Sequence, residues 1–117
     1  MAQAGDFQMI NKSEARDALF ALYRAGVFHW DILSGVAQAF AVAGMRRLDI
    51  VDFFWHIMNV SPPILDDNAL TMIDDFTGAL LGHCPTDRII HLHGDPENAD
   101  ELSELVWADA KRWKPPT

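Results

Sequence analysis

From Ile32 to Met45 the chain carries no charged side chain, and only Ser34 and Gln38 are strongly polar. The apolar residues sit at helical spacing and Gly44 ends the run, so the segment reads as a helix that Asp31 caps. A helix that is apolar all round has to be covered all round. Gly35, Ala37, Ala39, Ala41 and Ala43 are small enough to let another backbone approach closely. Such an element belongs at the centre of a bundle or beneath a second chain. The next stretch repeats the demand. Arg46 and Arg47 open a third helix with Leu48, Ile50, Val51, Phe53, Phe54, Trp55, Ile57 and Met58, and its one polar stripe is Asp49, Asp52, His56 and Asn59. Two neighbouring helices with so little polar face are hard to enclose in 117 residues. A surface that another protein covers is therefore expected.

The remaining helices are of the usual amphipathic kind. Asn11, with Glu14 three residues on, resembles a capping box, and Ala15, Ala18, Leu19 and Leu22 follow before a stop at Gly26. Pro62-Pro63 breaks the chain after the third helix. Asp66 or Asp67 then caps a fourth, with Leu70, Ile73, Phe76, Thr77, Leu80 and Leu81 inside and Thr71, Asp74, Asp75, Gly78 and Gly82 outside. Arg88 to His93 can form a short extended segment. Asp95 with Pro96 behind it reads as the start of the last helix, whose inner face is Ala99, Leu102, Leu105, Val106, Ala110 and Trp113. Residues 1–10 show no period and are expected to be a flexible arm before a single helical domain at 11–117. The fold class expected is all-α, a compact bundle of about five helices.

Charge and cysteine content narrow the function classes. Nine basic against seventeen acidic residues leave a net charge of −8, which disfavours nucleic acid and anionic membrane as partners. The imbalance is lopsided: residues 1–59 sum to −1 and residues 60–117 to −7. One cysteine, Cys84, excludes an internal disulfide framework, and no run approaches the ~20 apolar residues of a membrane span. The first residues lack a signal-peptide pattern, so a reduced, cytoplasmic setting is expected.

Few residues suggest chemistry. His83, Cys84, His91 and His93, with Asp95 near, are all zinc-ligand types, yet His-Cys-x6-His-x-His matches no common zinc spacing. Cys84 has no surrounding nucleophile motif. The carboxylate pairs Asp66-Asp67, Asp74-Asp75 and Asp100-Glu101 lie on solvated faces, where acid–base partners would share one environment. No glycine pattern suits a phosphate.

The expected function is that of a non-enzymatic, small acidic protein that needs no cofactor or metal and binds another protein, inhibiting it by covering its surface. In size and charge alone this resembles immunity proteins, antitoxins and anti-activators. Phe28, Trp30, Phe53, Phe54 and Trp55 are the expected anchors. Asp74, Asp75, Asp100 and Glu101 are the expected steering charges. A homodimer through the second and third helices is a compatible variant. The alternative is a small metal-dependent enzyme or metal sensor on the His83–His93 loop.

Overall fold

Among the described residues, three of the five helix starts are set by short capping side chains and three of the stops by glycines. Asn11 accepts hydrogen bonds from the Ser13 and Glu14 amides at 2.8 and 3.2 Å and caps α1, Lys12–Arg24. Gly26, at φ 77°, turns the chain out of it. After α2, Trp30–Val42, Gly44 does the same at φ 98°. α3 spans Arg47–Met58, and α4, Asp67–Leu80, is capped by the Asp66 side chain on the Ala69 amide at 2.9 Å. A single 3-10 turn, Thr86–Arg88, precedes α5, Ala99–Arg112. The computed structural model describes residues 11–60 and 63–115, apart from the Asp87 side chain. The arm expected at residues 1–10 lies outside them. Among the described residues the protein is all-α, with five α-helices and no strand.

α3 occupies the middle. Ile50, Val51, Phe53, Phe54 and Ile57 are buried against Leu33, Ala37 and Phe40 of α2, Ile73, Phe76 and Leu80 of α4, and Leu19 and Phe20 of α1. A chain of edge-to-face aromatic contacts runs through this core. Phe40 meets Phe53 at 4.7 Å, Phe53 meets Phe54 at 5.2 Å, Phe54 meets Phe76 at 5.2 Å and Phe76 meets Trp30 at 5.0 Å. Such pairs add ~0.5–1.5 kcal/mol each beyond the area they bury. The bundle thus encloses α3 on most sides by itself. α2 is less covered: Gly35, Ala39 and Val42, one turn apart, remain exposed.

Five local expectations are corrected. α2 begins at Trp30 with His29 before it, so Asp31 lies in the first turn and does not cap it. Packing of Trp30 on Phe76 extends the helix past the capping signal. The segment 88–93, expected to be extended, forms no strand: Arg88 belongs to the 3-10 turn, and the backbone of Ile90, His91 and His93 is held by side chains from α2 and α3. Gly82 is buried, not outside, because α5 crosses over it: a Cβ there would stand 2.9 Å from Val106 Cγ1. Finally Asn98, not Asp95, caps α5, accepting from the Asp100 and Glu101 amides at 2.9 and 3.1 Å. Leu105 and Ala99, assigned to the inner face of that helix, are exposed.

Asp95 is diverted by Arg47. The Arg47 guanidinium, 4% exposed, donates to the Leu80 and Ile90 carbonyls at 2.9 Å each and to the Asp95 carboxylate. That carboxylate also accepts from the Leu92 amide at 2.7 Å. Leu80 ends α4, so its carbonyl has no partner within the helix, and a cation there also suits the helix dipole. Burial pulls the Arg47 pKa below its ordinary value, with Asp95 opposing the shift. A buried guanidinium demands a counter-charge, and the demand outranks a local capping preference. From the other side Gln38 of α2 donates to the His91 carbonyl and accepts from the His93 amide at 3.0 Å.

Candidate functional site

A groove opens where α3, α4 and the end of α5 meet. On α3, Val51, Trp55 and Met58 recur at intervals of four and three and share one face. On α4, Asp74, Asp75, Thr77, Gly78 and Leu81 form the facing wall, and His83 follows from the connection. Trp113, the residue at which α5 ends, closes the third side. The volume enclosed is about 470 Å³. A second cavity of about 370 Å³, lined by Met58, Asn59, Leu70, Thr71 and Asp74, shares Met58 and Asp74 with the first. The two lie side by side along α3 and α4.

Its walls are fixed by specific contacts. Trp113 Nε1 donates to Asp52 Oδ1 at 2.7 Å, which locks the indole across from α3. The Trp55 ring stands edge-on to that of His56 at 5.4 Å. Gly78 leaves the floor open, and a Cβ placed there would meet only His83 Cβ, at an ordinary 3.9 Å. Asp74 and Asp75 are exposed, and among the described residues neither carboxylate has an ion pair or hydrogen-bond partner. No lysine or arginine lines either cavity. The groove therefore combines two indoles, a thioether and aliphatic surface with two carboxylates that lack partners.

Of the residues expected to contact a partner, the fold brings three together here: Trp55, Asp74 and Asp75. Phe53 and Phe54 are 5% and 0% exposed, so both belong to the core, although Phe53 also lines a separate cavity between α1 and α3. Phe28 is half-buried, edge-on to Tyr23 at 5.7 Å. Trp30 keeps 38% of its surface while leaning on Phe76. Asp100 and Glu101 lie in the first turn of α5, away from the groove lining. Sequence reasoning missed Met58, Gly78, His83 and Trp113 as groove residues. The spacing of Val51, Trp55 and Met58 was a usable signal; Trp113 carried none, since its place depends on how α5 crosses the bundle.

The histidine-rich connection does not gather into one centre. His83 faces the groove, and Cys84 packs half-buried against a satellite cluster of Ile89, Leu102 and Val106. His91 and His93 lie beside Gln38, with His91 Nε2 3.2 Å from the Asp95 carbonyl oxygen. Among the described residues no three His, Cys, Asp or Glu side chains are grouped as a metal site requires. No helix among them is long and apolar enough to cross a membrane.

Structure and site together define a five-helix all-α protein with an acidic, aromatic-walled groove. No family model, curated protein or solved structure matches the chain.

Proposed function

We propose that this chain is a non-enzymatic binding protein of the cytoplasm that seats part of another protein in the groove between α3, α4 and α5, and thereby masks that partner's surface. The observation that carries the reading is the groove itself. It places Trp55, Trp113 and Met58 around one opening, and tryptophan is the residue type most enriched where binding energy concentrates. Half-buried indoles held by fixed contacts bring a large apolar area to a partner at little cost in rotamer entropy. A groove of about 470 Å³ suits a segment of polypeptide better than a flat face does.

A photo-reactive phenylalanine analogue placed at Met58, and separately at Glu104 outside the groove, tests this in the cells that make the protein. The expected result is a discrete protein adduct from Met58 and none from Glu104. Absence of an adduct at Met58, with the protein shown to be folded, refutes the reading. Sedimentation of the purified chain at micromolar concentration then separates a second copy from a different partner.

A further inference from the structure

We propose that the groove is built for a basic segment, with an arginine side chain laid against the indoles of Trp55 and Trp113 and its charge met by Asp74 and Asp75. This rests on the binding reading above and names the chemistry of the partner. The first argument is charge. Other acidic groups close to the packed interior are already engaged: Asp52 accepts from Trp113, Asp95 holds Arg47 and Asp109 holds Arg112. Asp74 and Asp75 stand at the groove with no such partner among the described residues, and no lysine or arginine lines it.

The second argument is the kind of cation. An indole face attracts positive charge more strongly than the other aromatic rings do. Guanidinium is planar and weakly hydrated, so it stacks on a ring while its edge still donates to a carboxylate; ammonium, compact and strongly hydrated, does this less well. The aliphatic stem of an arginine would lie on Met58, which lines the same cavity and is half-buried. The adjoining cavity keeps Asp74 in reach of a second basic side chain further along the segment. Nucleic acid and anionic lipid would be repelled by the same carboxylates.

The test uses the whole chain and three synthetic peptides of one Gly/Ser framework, bearing arginines, lysines or glutamates, followed by calorimetry and tryptophan fluorescence. The arginine peptide is expected to bind, the lysine peptide about fivefold more weakly, and the glutamate peptide not at all. Replacing Asp74 and Asp75 together by Asn should weaken the arginine peptide about tenfold. Gly78→Met, which fills the groove without changing charge, should do the same. An Asp100→Asn, Glu101→Gln variant, equal in charge to the first, should stay within about twofold of the parent. Thermal melts confirm that each variant is folded. Equal weakening in the Asp100/Glu101 variant would show diffuse attraction and overturn the proposal, as would unchanged binding in Gly78→Met. If the adduct from Met58 persists with Asp74 and Asp75 replaced, the binding reading stands and the cationic one falls.

Discussion

Removing the Arg47 guanidinium should be the most damaging single change outside the apolar core. Arg47→Met keeps most of the stem and deletes the head, which leaves the Leu80 and Ile90 carbonyls and the Asp95 carboxylate without their donor. Breaking a buried pair by removing one partner costs ~3–5 kcal/mol, because the remaining charge stays desolvated. Asp95 is 12% exposed and keeps the Leu92 amide as a donor, which softens the loss. Arg47 Nε, a buried donor with no partner among the described residues, is removed as well, and that relieves ~1 kcal/mol. The net expectation is a loss of about 3 kcal/mol. At ~2.1 cal/mol/K of unfolding entropy per residue, a 117-residue domain loses about 4 °C of Tm per kcal/mol, hence about 12 °C here. Urea unfolding of Arg47→Met, Asp95→Leu and the double variant closes a thermodynamic cycle. The double variant should be more stable than the sum of the two single losses implies, by 1 kcal/mol or more (about the lower range for directly coupled pairs). If Arg47→Met costs under about 1 kcal/mol, or the two losses simply add, the pair does not hold the 89–95 segment as argued.

Other expectations follow from single residues. Gly82→Ala should destabilise by ~1–3 kcal/mol in chemical denaturation, since Gly82 sits at φ 78° and a Cβ meets Val106 at 2.9 Å. Gly35→Ala and Gly78→Ala, in helices with room for a methyl group, should each raise stability by ~0.5–1 kcal/mol in the same assay. Replacing His91 and His93 by Asn should change stability by no more than ~0.5 kcal/mol, because both are exposed and their backbones, not their rings, meet Gln38. Once a partner is in hand, converting Asp74 and Asp75 to amides should slow association and flatten its salt dependence, while Trp55→Ala should mainly speed dissociation. Stopped-flow kinetics at two ionic strengths distinguishes the two.

Helix count and the apolar faces could be read from the chain because they depend on neighbours three and four residues away. Leu33, Ala37 and Phe40, then Ile50, Phe54 and Ile57, then Ile73, Phe76 and Leu80 recur at that spacing and are all fully enclosed. What could not be read depends on contacts between distant residues. Arg47 sits beside Arg46 at the start of α3; only the arrival of the α4 end and residues 90–95 makes it a buried hub. Asp95-Pro96 is a sound local signal for a helix start, overruled by a charge 48 positions earlier. The groove is of the same nature. Trp55, Asp74 and Trp113 belong to three helices, and no pattern within any of them reports the distance to the others.

The satellite cluster under α5 gives the groove a thermodynamic handle. The first half of that helix packs through Leu102 and Val106 on Ile89 and Cys84, apart from the main core, whereas Ala110 and Trp113 reach the main core at its far end. A helix seated on so few enclosed side chains opens as a unit at lower free energy than α3 or α4. Each opening carries the Trp113 wall away, so the formed groove is one member of an ensemble. Any ligand that touches Trp113 draws on the population in which α5 is docked. Amide hydrogen exchange should register this as slower exchange along the whole helix on binding, including Glu101 and Glu104, which line no part of the groove.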